Sequence, residues 1–328
     1  MKGSLRDRLE HNQVIIYIIA VLLATLSASI FPGTATFEAA INPALALMLF
    51  VTFLQVPVSE LGKALTRVNF LIPLLIANFV VVPLLVAVLI QFLPQQEPLL
   101  LLGVLFVLLT PCIDYVVTFS QLGRSDSRLL LASTPALLIM QVVLLPVYLQ
   151  IFLGAQASEL VRIGPFIHAF LWLIVAPLGL AALMQFLAAK TTAGNVICQG
   201  LGMLPVPSTA LVLFVVVAAM VPQLDEAKSA AMSVAPLYIA FAIIAPLAGW
   251  AIARLFRLNV TAARAIAFST GTRNSLVVLP LALAVPGAIP VLPAVIVTQT
   301  LVELFSELIY IRLIPRLGGR DKNSAQSH

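Results

Sequence analysis

The chain has 328 residues, of which 61% are hydrophobic types and 9% are charged, with a formal net charge of +5. A soluble domain carries roughly a quarter charged residues, so this chain lacks the polar surface needed to coat a water-soluble globule of its size. The positive balance does not indicate nucleic acid, because the basic residues stand singly in short loops and form no stripe with interleaved aromatics.

The first apolar run, Val14 to Phe31, is long enough to span a bilayer and has no convincing cleavage site, so it reads as a membrane helix and not a signal peptide. Nine more runs follow. The ten predicted spans are approximately 13–31, 42–58, 68–93, 98–122, 129–153, 164–188, 204–222, 233–256, 261–286 and 291–314. Helices are the spanning element that fits, because these runs are apolar on all faces and membrane strands alternate. With both termini cytoplasmic, fifteen lysines and arginines fall on the inner side, among them Lys2, Lys63, Arg124, Lys190, Arg257 and Arg316; the outer loops hold Arg162 and Lys228. That asymmetry selects this count and an inner (plasma) membrane orientation, since dropping one span would invert every later loop.

Spans 4 and 9 are interrupted. Span 4 carries Thr110-Pro111-Cys112-Ile113-Asp114, and span 9 carries Thr270-Gly271-Thr272-Arg273-Asn274. Proline removes a backbone donor and glycine loosens the turn, so each span is predicted to unwind at mid-membrane and offer carbonyls and amides to a solute. The predicted solute site is Thr110, Cys112, Asp114, Thr272, Arg273 and Asn274. An isolated charge at this depth needs a partner, a proton or water. Asp114 and Arg273 are expected to face each other where spans 4 and 9 cross, either as a structural ion pair or as a pair perturbed during transport. Glu303, near the middle of span 10, is a candidate proton carrier, because apolar surroundings disfavour the charged carboxylate. Glu307, one turn on, reads as structural.

The halves of the chain repeat each other. Pro73 and Pro83 of span 3 match Pro236 and Pro246 of span 8; Pro135 and Gln141 of span 5 match Pro293 and Gln299 of span 10. Thr110 falls on Thr270, Pro111 on Gly271 and Asp114 on Asn274. A unit of five spans is odd, so the second copy must be inverted, a plan frequent among secondary transporters. The predicted fold is an all-α membrane protein of two inverted five-helix repeats, residues 1–157 and 158–328, with discontinuous helices 4 and 9 crossing at the midplane. The sequence holds no His-Glu-x-x-His helix, no Gly-x-Ser-x-Gly elbow and no ATP-binding loop. It therefore predicts no enzyme, no metal, no cofactor and no ATP-driven pump, but a carrier of a small solute in the lipid bilayer.

Several stretches resemble the superfamily of bile acid:sodium symporters and arsenical-resistance permeases. Cys112-Ile113 followed by Gln121-Leu122-Gly123-Arg124-Ser125-Asp126, Gln141-Val142-Val143-Leu144-Leu145 with Tyr148, and Leu301-Val302-Glu303 look like the arsenite-permease branch. That resemblance implies arsenite efflux by a proton antiporter, with Cys112 as substrate thiol and Glu303 as a functional carboxyl. The chain departs from that branch at Arg273-Asn274-Ser275-Leu276, which lacks its glutamate, and Asp114 is a candidate to take over the proton role. The sodium-symporter branch, which transports organic anions, resembles the chain at Asn78-Phe79 and Thr134, a possible ion site; Arg273 would then pair with the anion. Val116-Val117 and Ser269 replace other residues of that branch's motifs.

Overall fold

The computed structural model describes residues 8–10, 12–31, 33–55, 67–93, 97–113, 115–154, 171–220 and 224–318. Asp114 lies outside the described residues. The regular elements among them are helices: α1 (Gln13–Ile30), α2 (Glu38–Phe53), α3 (Val68–Phe92), α4 (Pro98–Leu108), α5 (Tyr115–Leu122), α6 (Ser127–Leu153), α7 (Ala176–Lys190), α8 (Thr192–Leu201), α9 (Pro205–Met220), α10 (Leu224–Leu255), α11 (Val260–Gly271), α12 (Ser275–Leu283) and α13 (Val291–Leu313). Five of these segments are long and apolar enough to cross a membrane, and the pair α8 and α9, bent by 43°, makes a sixth if taken as one span. The protein is a multi-pass membrane protein, and exposed apolar side chains such as Leu22, Phe92 and Ile243 face outward, as suits a surface in lipid.

The helices pack in two groups. In one, α9 lies against α1 and α2, and α7 against α2. In the other, α10 packs on α11 and α13, α13 on α4 and α12, and α6 on α5 and α11. The groups meet along a seam where α9 touches α13 and α2 touches α12. Residues 192–201, between the sixth and seventh spans expected from sequence, form the helix α8. Thr191 caps it, its hydroxyl accepting the Gly194 N–H at 3.0 Å. The exposed Val196 and Ile197 suit a helix lying at a lipid–water boundary.

Proline inside a membrane helix frees the carbonyl four residues back, and in lipid that carbonyl must find another donor. The chain supplies one in two ways. In Thr110-Pro111 and Thr134-Pro135 the threonine hydroxyl bonds the freed carbonyl, Val107 at 3.0 Å and Leu131 at 2.8 Å. For Pro83 and Pro246 the donor comes from another helix. Tyr148 of α6 donates to the Phe79 carbonyl at 2.5 Å, and Tyr310 of α13 donates to the Ala242 carbonyl. The first sits beside a π-helical turn at Ala77–Val81 that turns Asn78 into the core. Tyr148→Phe and Tyr310→Phe should each lower unfolding stability by about 1–3 kcal/mol by orphaning a buried carbonyl. Tyr238→Phe is the control, because the buried Tyr238 hydroxyl has no hydrogen-bond partner among the described residues. Melting of the three variants in detergent, with equal losses in all, would contradict the assignment.

Candidate functional site: the crossing of two broken helices

Helix α4 stops at Leu108 and α5 starts at Tyr115; α11 stops at Gly271 and α12 starts at Ser275. The two extended breaks lie antiparallel and pair through their backbones. The Cys112 N–H donates to the Thr272 carbonyl at 3.1 Å, and the Asn274 N–H donates to the Thr110 carbonyl at 2.8 Å, flanking the Pro111–Arg273 bridge. Pro111 lacks an N–H, so its side of the break cannot re-form helix. Each strand of the crossing satisfies the other's orphan groups, which is what allows non-helical backbone at membrane depth. Thr110 and Thr270 behave alike, each hydroxyl donating to carbonyls three and four residues back.

Arg273 is fully buried. Its guanidinium donates to the Asn78 side-chain oxygen at 2.8 Å, the Ser269 carbonyl at 2.6 Å, the Thr270 carbonyl at 2.9 Å and the Leu108 carbonyl at 3.3 Å. It also lies over the Phe241 ring, 5.5 Å from the centroid. Asn78 is completed by donating to Ser269 Oγ at 3.0 Å and to the Leu74 carbonyl.

Glu303, on α13, is the hub of the other side of the crossing. Its Oε2 accepts the Arg273 backbone N–H at 2.6 Å and the Gln299 amide at 2.5 Å, and its Oε1 accepts the Tyr115 hydroxyl at 2.5 Å. Tyr115 Oη also lies 3.3 Å from the Arg273 carbonyl. One turn further, Glu307 accepts the Thr272 hydroxyl at 2.5 Å. Four buried atoms around this hub have no hydrogen-bond partner among the described residues: Arg273 Nε, Asn274 Nδ2, Gln299 Oε1 and Glu307 Oε2. Unsatisfied buried polar atoms are rare, and a cluster of them marks where water or a polar solute can bind. Tyr115 also lines a small polar crevice of about 30 Å³ between the two helix groups, with Glu10, Gln13, Tyr17, Gln55, Thr118, Pro205, Val206 and Thr209. Such a space holds water but no larger solute.

Most of the residues picked out from sequence come together here. Thr110, Cys112, Thr272, Arg273 and Asn274 form the crossing, and Glu303 and Asn78 bond to it. The expected contact between Asp114 and Arg273 falls outside the described residues. Asn78 and Thr134 do not share a hydrogen bond among the described residues; Asn78 serves the guanidinium, and Thr134 is committed to the carbonyl that Pro135 frees. Sequence reasoning passed over Tyr115, Gln299 and Glu307 as members of the network. The signal for Gln299 was present, since it precedes Glu303 by four residues and shares its helix face. Nothing local pointed to Tyr115, whose partner is 188 residues away. The Cys112 side chain is fully buried and Cys198 half-buried on α8. A membrane-permeant maleimide should therefore label Cys198 well before Cys112 at rest, and equal labelling of single-cysteine variants would contradict this packing.

Discontinuous helices crossing in a bundle of apolar spans, with buried ionisable groups at the break, are a plan found among secondary transporters. The family model described as the Sodium Bile acid symporter family matches residues 42–229, more than half of the chain, and the protein belongs to that family. The match contains Pro111 and Cys112 but ends before Arg273 and Glu303. No curated protein matches the chain.

Proposed function

We propose that the protein is a proton-coupled carrier of a small polar solute, with arsenite-type hydroxides as the leading substrate class and efflux as the direction. The observation that carries this reading is the position of Glu303, joined through Tyr115 to a polar crevice and through the Arg273 N–H to the crossing. A carboxylate accepts from Tyr115; a protonated carboxyl can donate to it instead, and the tyrosine hydroxyl can then turn to the Arg273 carbonyl. Protonation of Glu303 thereby changes which part of the crossing Tyr115 holds. Asp114, next to Tyr115 in sequence, is a second proton group in this reading, paired with Arg273 in one of its states.

The chain is organised as ten spans in two inverted repeats, 1–157 and 158–328, with cytoplasmic termini in the inner membrane. The like bonding of Thr110 and Thr270, and the matched tyrosine donors behind Pro83 and Pro246, support the repeat. In this orientation the crevice opens on the cytoplasmic side, where an efflux substrate loads. Thr110, Thr272, Asn274 and the Cys112 thiol meet the solute when the helix groups part, a soft thiolate giving a thiophilic solute a reversible ligand. The organic-anion alternative with Arg273 as the anion's partner gains no support from a guanidinium already bonded to four oxygens.

The test is uptake of arsenite into everted vesicles under an imposed proton gradient. Accumulation by the wild type that ignores sodium and is lost in Cys112→Ser is the expected result. No accumulation above empty vesicles, with uptake of an organic anion in sodium instead, would overturn the proposal in favour of symport.

A further inference from the structure

The surroundings of Arg273 have the composition of a cation site. Among the described residues, four oxygens converge on the guanidinium: the carbonyls of Leu108, Ser269 and Thr270 and the side-chain oxygen of Asn78, none of them a carboxylate. The carbonyls lie in the last turns of two helices, α4 and α11, whose C-terminal ends meet here. Each end carries the equivalent of about −0.5 elementary charge, so together they call for one positive charge. In membrane carriers with broken helices, such half-helix ends and unwound carbonyls hold the coupling cation. Here the positive charge arrives on the side chain of the break itself, fully buried and beyond exchange with solvent.

We propose that Arg273 is a tethered replacement for a free monovalent cation. The oxygen cage formed by α4, α11 and Asn78 is a cation site that the chain fills with its own side chain, so the protein needs no sodium ion there. Removing the side chain would leave the cage intact, because Asn78 is also held by Ser269 and Leu74, and the two breaks are tied together by backbone bonds. The emptied cage would then take a guanidinium or alkali-metal ion from solution. The proposal concerns the crossing alone and stands or falls apart from the identity of the solute and the role of Glu303.

The experiment is thermal unfolding of the purified full-length protein in detergent, with choline chloride replaced by equal concentrations of guanidinium, sodium or potassium chloride at millimolar levels. The wild type should show no shift specific to any of these cations. Arg273→Ala should melt roughly 5–10 °C lower in choline, and guanidinium or one alkali cation should restore at least half of that loss along a saturable curve. Arg273→Lys, which keeps a positive charge on the same stem, should lose less and respond less. An Arg273→Ala protein that melts alike in every salt overturns the proposal, as does an Arg273→Met protein as stable as the wild type in choline. Should Arg273→Ala fail to survive purification in choline, it is purified in each of the other cations throughout. Recovery in guanidinium or an alkali cation supports the proposal, and failure in all of them overturns it.

Discussion

Glu303→Gln should abolish gradient-driven uptake while the protein remains folded and still exchanges solute across the membrane. In the wild type three donors converge on the carboxyl, from Tyr115, Gln299 and the Arg273 backbone. A glutamine keeps the size but exchanges one acceptor oxygen for a donor, which Tyr115 can accept only by turning its own hydroxyl to the Arg273 carbonyl. The cost is a weakened buried hydrogen bond, at most about 1–3 kcal/mol, and the loss of a carboxyl that can take up and release a proton. Driven accumulation should be lost, as expected for an intramembrane ionisable group on a proton path, with counterflow reduced far less. Tyr115→Phe should fall between the two, because it leaves the carboxyl in place but removes its link to the crevice. Wild-type accumulation in Glu303→Gln would end the proton-carrier assignment; equal loss of accumulation and exchange would recast Glu303 as a structural anchor of the crossing.

The second large effect concerns packing. Helices α10 and α11 approach closely because position 249 has no side chain. A Cβ placed there would lie 2.1 Å from Thr270 Oγ1 and 2.8 Å from its Cγ2. Close approach through small residues is how membrane helices gain contact, since lipid offers no hydrophobic drive between them. Thr270 cannot swing away freely, because its hydroxyl is held by the Ile266 and Ala267 carbonyls at 3.0 and 3.1 Å. Gly249→Ala should therefore destabilise by about 1–3 kcal/mol through overpacking, and it should also displace the break that follows Thr270. The companion change Thr270→Ala removes the clashing atoms. The double variant should recover part of the loss, with a coupling energy of about 1 kcal/mol. Additive losses in the double-mutant cycle would show that the two positions do not meet.

Much of the architecture was legible in the sequence. Low charge and long apolar runs dictate a multi-pass protein, because backbone in lipid must be bonded within the segment. The helix breaks were legible at Pro111 and Gly271, since a missing donor and a missing side chain are local properties that no packing restores. The buried charges stood out because charge is so rare in these runs. The helix α8 was not read, as its polar composition hid a good capping residue at Thr191.

Partnership was the part that sequence alone could not decide. That Arg273 closes the ends of two half-helices, that Tyr115 serves Glu303, and that Tyr148 and Tyr310 make good the carbonyls behind two prolines all depend on which helices adjoin. The intervals between partners run from 68 to 188 residues for the tyrosines. Apolar periodicity states that a side chain is buried but not against what, because a run that is apolar all round has no face to orient it. Where the backbone must break and which charges must be hidden follow from residue types alone. The tertiary structure decided how those breaks and charges satisfy one another, because a buried donor or acceptor is fixed by the nearest complementary atom in space and not by its neighbours along the chain.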